Sequence, residues 1–337
     1  MPVFVPQRWA AAPWGISTKK ETAYNAAVPD VSFTKRPVLV SPDFADMSVG
    51  YRSDLGKAFL GHEHMTERQI IARAVTRAMQ CELSSWMAAW VAAFGLGAIS
   101  TSGAQAPYTH TITFMTGAGQ VPSTSIWEKA GDGLGTKYLG MVCKDFTISS
   151  DKGGMPKLTS NWIGSGQIVA ADLADIPSVQ TVDYLLEKDQ DIKLGAHGAG
   201  ASIKDRVISW SVNFSLNPAE ADGRYPGSGL YAGRMWRGPR RASIQMNVWA
   251  KDTADDMLTL LLNNTEQEVS IECPGLVPAS DKLTIYIPYL KFEKVQIGVQ
   301  DDWVIWQLSA AEQGIIHHGA DEPVTLTVLN SEAAFLN

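Results

Sequence analysis

Between Arg206 and Leu216 apolar and polar residues alternate without a break: Ile208, Trp210, Val212, Phe214 and Leu216 stand against Ser209, Ser211, Asn213 and Ser215. A period of two marks a strand with one face on a core and the other on water. The same alternation, less regular, predicts strands over Tyr108–Met115, Ser123–Lys129, Ala242–Ala250, Val269–Cys273, Leu283–Ile287, Leu290–Val299, Trp303–Leu308 and Val324–Leu329. The longest stretch, Tyr138–Gly166, reads as an antiparallel hairpin that reverses at Asp151-Lys152-Gly153-Gly154. On its first strand Val142, Phe146 and Ile148 fall to one side and Met141, Cys143, Asp145 and Thr147 to the other. Helical spacing is confined to two places. Trp86, Met87, Trp90, Val91 and Phe94 form a stripe after a capping serine pair, Ser84-Ser85, and before Gly95 and Gly97. Met257, Leu258, Leu261 and Leu262 follow a cap at Asp252 or Thr253 and end at Asn263-Asn264. Arg68–Leu83 fits either period. The fold class expected is mainly β: an antiparallel β-sandwich or partial barrel with short flanking helices.

The irregular stretches divide the chain. Residues 1–50 hold Pro2, Pro6, Pro13, Pro29, Pro37 and Pro42 among scattered aromatics, a density that breaks helices. They read either as a flexible leader or as an arm that docks on a neighbouring subunit. A first β domain is expected over 51–170, an acidic, Gly/Ala-containing linker over 171–205, and a second β domain over 206–337. Two loops stand out, Asp46–Thr66 and the Gly-, Arg- and aromatic-rich Gly223–Arg241; a structureless loop that long inside a compact domain is usually functional. Strand, helix, strand, strand and hairpin in Arg68–Gly166 recur from Ala242 to Leu308, so the chain reads as an internal duplication.

With 337 residues, 45% hydrophobic and 19% charged, the chain can bury one large core or two medium ones. A net charge of −7 argues against a nucleic-acid surface built on counterion release. Cys81, Cys143 and Cys273 are far apart and lack CxxC spacing, which speaks against a disulfide framework or zinc site and for a reduced place of synthesis. The start lacks a basic n-region, and the most apolar segment, Trp86–Ile99, is shorter than the roughly 20 residues of a membrane span. Gly50–Ala58 imitates a phosphate loop, but its spacing is one residue too long and Ala58 occupies the Ser/Thr position. Gly61-His62-Glu63-His64 lacks a third ligand, His317-His318 point to opposite sides of a turn, and His110 sits among threonines as a structural histidine. Glu82, Asp145, Asp205 and Asp255 are not paired by any motif, and no GxSxG occurs. No catalytic, cofactor or metal residue is assigned, and an enzyme is not expected.

The run YTHTITF, PSTSIWEK, YLGMVCKDFTIS and LTSNWIGSG, followed by RASIQMNVWAKDTADDMLTLLLN and PVTLTVLN, resembles the major tail tube protein of long, non-contractile-tailed bacteriophages, from about Arg68 onward. The resemblance implies a tail-tube β-sandwich whose subunits form rings, three if the chain is duplicated and pseudo-six-fold, six if it is a single domain. Rings would stack into a tube carrying DNA to the host cell, in contact with other tail proteins and without a cofactor. The protein would belong to the virion tail and be made in the host cytoplasm. The hairpins would line the lumen through Lys144, Asp145, Thr147, Lys157, Thr159, Lys294 and Gln296, presenting a polar, net acidic wall that repels DNA. Tyr225, Tyr231, Arg234, Trp236, Arg237, Tyr51 and Arg52 would make contacts between rings. A tail-completion or secretion-tube ring is the near alternative. A carbohydrate-binding β-sandwich adhesion module, using some of the eleven Trp, is the distant one.

Overall fold

The computed structural model describes residues 14–36, 39–40, 46–52, 67–116, 121–130, 134–170, 184–218, 232–236, 238–251, 257–300 and 302–337. The chain opens with β1 (Trp14–Ser17), β2 (Phe33–Arg36), β3 (Leu39–Val40), β4 (Asp46–Arg52) and the long β5 (Glu67–Glu82), which leads into α1 (Ser85–Leu96). Then come β6 (Gly97–Ser102), β7 (Tyr108–Phe114), β8 (Thr124–Ala130), β9 (Leu134–Asp151), β10 (Lys157–Gly164), β11 (Ile168–Ala170), β12 (Asp191–Gly195) and β13 (Ala201–Ser202). After β14 (Val207–Ser215) and β15 (Arg241–Trp249), α2 (Met257–Leu262) precedes β16 (Gln267–Pro274), β17 (Lys282–Leu290), β18 (Lys294–Gln300), β19 (Trp303–Ala310) and β20 (Thr325–Asn330). The protein is mainly β, as the alternation predicts, and Arg68–Leu83 is resolved in favour of strand.

Two antiparallel sheets enclose one core. The larger runs β18-β19-β15-β14-β9-β10-β5-β3, with β4 also on β5, and with β1, β2, β8 and β11 attached around the start of β9. The smaller runs β13-β12-β16-β17-β20-β7-β6. Strands from the early and late parts of the chain pair directly in both sheets, β14 with β9 and β20 with β7. A single apolar cluster runs from Trp14 to Phe335. Within the stretch read as a linker, β12 pairs with β16 across Asp191↔Glu272 to Gly195↔Glu268.

Helix α1 lies between the sheets, touching β9 and β10 on one side and β20, β7 and β6 on the other. The Ser84 hydroxyl accepts from Met87 N, capping the first turn, and Gly97 closes the last one at φ +87°, where a side chain would be strained. All twelve residues are buried, not only the aromatic stripe. The remaining faces are Ala88, Ala89, Ala92 and Ala93, small enough to let both sheets approach; a helix apolar all round belongs inside a core. Trp90 anchors this layer. Its ring stacks on Trp162 at 4.7 Å, and its indole N–H donates to Ser17 O at 2.8 Å. That bond also fixes β1, so the part of the proline-rich segment from Trp14 onward packs on its own chain, with Trp14, Ile16 and Phe33 essentially inaccessible.

The face assignment on β9 needs correction. The register against β10 slips between Asn161↔Asp145 and Trp162↔Cys143, leaving Lys144 as an extra residue. One inserted residue reverses the alternation. Met141 and Cys143 therefore share the core with Phe146 and Ile148, while Val142 turns to a separate cluster with Val121 and Met235.

Beneath the start of β9 a buried carboxylate organises the early segment. Glu21 accepts from Ser123 Oγ (2.8 Å), Ser125 Oγ (2.9 Å), Gly140 N (2.9 Å) and Asn25 N (3.0 Å). Gly140 has φ +65°, and a Cβ there would stand 2.4 Å from Asn25 Oδ1, so this crossing requires glycine. Next to it Arg77 Nε pairs with Glu128 at 2.9 Å, both side chains nearly inaccessible, with the guanidinium over the Tyr138 ring.

Candidate assembly surfaces

The order of the large sheet contains a repeat. Reading across it, β18-β19-β15-β14 is followed by β9-β10-β5 and then β3 and β4. Each half consists of a hairpin, the strand that precedes a helix, and the strand before that one. β3 and β4 succeed one another along β5, from Leu39↔Gln80 to Arg52↔Glu67. Two runs of like element order thus lie side by side in one antiparallel sheet, joined where β14 meets β9, whereas β8 and β17, matched to each other in the sequence, lie in different sheets. Among the described residues the sheet does not close: β18 pairs only with β19, and β3 and β4 pair only with β5. An unpaired strand row is a template for another chain. Along β18 and the start of β19, Ile297, Val299, Trp303 and Val304 are 65%, 73%, 68% and 49% exposed. α1 covers the hairpin β9–β10, whereas the six-residue α2 leaves the end of β18–β19 bare.

The face of this sheet turned away from the core is composed of cross-strand rows. One runs Lys294, Ser309, Gln245, Ser211, Ser149, Lys157, Glu82. Its neighbours run Ser243, Asn213, Thr147, Thr159, Gln80 on one side and Gln296, Gln307, Asn247, Ser209, Asp151 on the other. A fourth runs Arg241, Ser215, Asp145, Asn161, Ala78. Of the residues expected on the lumen, Asp145, Thr147, Lys157, Thr159, Lys294 and Gln296 all lie in these rows, and Lys144 is the exposed bulge residue beside them. Sequence reading missed the residues contributed by β14, β15 and β19, although their alternate Ser, Asn and Gln positions carried the signal. Within the four rows Glu82, Asp145 and Asp151 stand against Lys157, Lys294 and Arg241, with Lys144 beside them.

The stretch read as a loop over Asp46–Thr66 begins as strand β4 (Asp46–Arg52), paired with β5, because its residues fall in register with Glu67–Ala74; Gly223–Arg241 lies between β14 and the start of β15. Tyr225, Tyr231 and Arg237 lie outside the described residues. Tyr51 and Arg52 end β4, in register with Arg68 and Glu67. Arg234 stacks over the Trp236 ring at 4.6 Å, with Trp236 38% exposed. The loop is also tied inward: Ala232 and Met235 are buried, and Arg240 Nη1 donates to Leu96 O at the end of α1.

His110 is fully buried, its ring nitrogens within reach of Thr101 Oγ1 (2.9 Å), Asn330 Oδ1 (3.1 Å) and Glu332 O (3.0 Å). Burial pushes all three thiols up, Cys81 to about 12, so each is held as the thiol and not as the nucleophilic thiolate. A polar cleft of about 380 Å³ is lined by Asp151, Glu187, Asp189, Lys188, Lys204 and Asp205, among others. Among the described residues no group of three or more His, Cys, Asp or Glu is arranged to hold a metal ion, and no helix is long and apolar enough to cross a membrane. Of the described tryptophans Trp236 and Trp303 are exposed, Trp249 is half-buried beneath Lys152, and Trp14, Trp86, Trp90, Trp127, Trp162, Trp210 and Trp306 are buried.

The family model for phage tail tube proteins matches residues 66–311, and the chain belongs to that family. It is a structural component of a phage tail. No curated protein matches the chain.

Proposed function

We propose that this chain is the ring-forming subunit of the tail tube of a long, non-contractile-tailed phage, with three copies per ring and each copy supplying two like units. The observation that carries the reading is the tandem order of the large sheet. The junction β14–β9 inside the chain is the pattern for the junction between copies, in which β3 and β4 of one copy pair antiparallel with β18 of the next. Repetition would satisfy both open rows of backbone groups and close the sheet into the inner wall of a tube. The exposed Ile297, Val299, Trp303 and Val304 would be covered at that seam, which removes apolar area from water at roughly 25 cal/mol per Å².

In this arrangement the polar rows face the lumen, and the end of β4 with Tyr51 and Arg52, together with the loop before β15 carrying Tyr225, Tyr231, Arg234, Trp236 and Arg237, faces the adjoining ring. DNA passes through the lumen without specific binding. Electron microscopy of tubes or virion tails with rotational averaging tests the proposal. Three-fold symmetry with strong six-fold character is expected; six copies per ring, or a chain that remains monomeric under all assembly conditions, overturns it.

A further inference from the structure

We propose that the turn between β16 and β17 is a plug that seats in a cleft at the opposite end of a second copy of this chain, a head-to-tail contact distinct from the long loop before β15. The inference rests on the reading of this chain as a subunit of stacked rings. Turn tips are ordinarily Gly, Pro, Asn, Asp or Ser, yet this one carries Leu276 and Val277 side by side, 76% and 57% exposed. It is also stiff. Gly275 N donates to Asp281 O at 2.8 Å, and Ser280 N and Asp281 N both donate to Val277 O at 2.9 Å. The Asp281 carboxylate accepts from Ser85 Oγ at 2.8 Å and from Ser280 Oγ at 3.0 Å, which fastens the turn to the start of α1. Behind it Leu185 bridges to Gly275, and Leu186 N donates to Pro274 O. An apolar pair on a rigid support loses little freedom when it docks.

The cleft, of about 470 Å³, lies at the other end of the smaller sheet. Register fixes the two ends: β20 meets the turn's side of β17 at Leu329↔Lys282, whereas Val324 precedes the first residue of β20, and Phe114 ends β7 opposite Gly97, just after α1. Phe114, Met115, Ile315, Pro323 and Val324 supply its apolar walls. Around them stand Arg240, Arg241, Glu312 and His317, with Arg241 paired to Glu312 at 2.7 Å. Two guanidiniums thus stand against one carboxylate. The turn 275–281 brings the complement, a single carboxylate, Asp281, and no cation, while the adjoining Lys282 is paired with Glu272 at 3.4 Å. The cleft also continues the surface of the long loop, since Gly238 and Arg240 line it. Because plug and cleft are different patches at opposite ends, each copy can seat one neighbour and be seated in another; such a contact propagates along an axis and does not close in pairs.

The test has two arms. Val277→Cys combined with His317→Cys places thiols at two exposed positions, one on the turn and one in the cleft, in a chain whose native thiols are buried. In assembled tubes mild oxidation should link copies into a ladder of multimers on non-reducing gels, and neither single variant should link. Tubes of the double variant that give no ladder, or a Val277→Cys chain that dimerises alone and so sets turn against turn, overturn the proposal. In the second arm, Leu276→Asp with Val277→Asp should keep the native thermal midpoint and still give single rings in negative stain, while the protein concentration needed for stacking rises at least tenfold. Tubes that assemble from this variant as readily as from the native chain overturn the plug and leave the tube reading intact. A native chain that forms neither rings nor tubes overturns the tube reading, and this contact with it.

Discussion

Glu21 shows how one side chain can fix a segment that sequence periodicity leaves undefined. Nothing in the proline-rich stretch marks Glu21, since its four donors come from three separate places in the chain and meet only in the fold. Burial pushes its carboxyl above the usual range, against hydrogen bonds from Gly140, Ser123, Ser125 and Asn25 that pull it down. With the folded value raised, the stability this group contributes is fully present below the unfolded carboxylate value of about 4.3 and declines as pH rises through the folded one. Glu21→Gln should cost about 1–3 kcal/mol at acidic pH, because an amide N–H₂ then faces donors. Denaturant titrations should show the difference between native and variant shrinking from pH ~4 towards neutrality. A difference that grows with pH would exclude a raised carboxyl. The bulge at Lys144 was invisible for another reason: polar and apolar residues are both tolerated on either side of it, so the slip leaves no mark on the pattern.

At the scale of elements most strands were legible, because each has one face on the core and one on water. The capped helix α1 was legible as well, although its complete burial was signalled only by the alanines between its aromatic residues. What the sequence could not supply was register, and with it the rows that combine side chains from as many as seven strands. The exposed end of β18 shows the consequence. Val299 alternates as a core residue should, yet it is 73% exposed because α2 stops short of it. Val299→Asp should leave the monomer's thermal midpoint nearly unchanged, since an exposed substitution usually shifts stability by no more than about 0.5 kcal/mol. It should nevertheless abolish or strongly weaken ring formation in sedimentation or negative-stain assays. Normal rings from this variant would remove the seam from β18.

For the whole molecule, the repeated order of elements was readable in the chain, but the manner in which the repeats join was not. The larger sheet passes from one unit to the other through β14–β9, the smaller through β17–β20–β7, and the core has no gap between them. Residues 206–337 expressed alone should therefore be insoluble or lack cooperative unfolding, and co-expression with 1–205 should restore a folded complex. A stable, cooperatively unfolding 206–337 fragment would show that the units are autonomous. The last residues are tied to earlier parts of the chain: Leu336 N donates to Thr18 O at 2.8 Å, and Phe335 sits edge-on against Trp86. The seam at β14–β9 also has a kinetic consequence. Because two units arrive already tethered, their mutual effective concentration is set by the chain and not by the solution. In the ring proposed above, closing the circle would require half the encounters that single units would need, which would lower the protein level at which nucleation begins and favour complete circles over stray arcs.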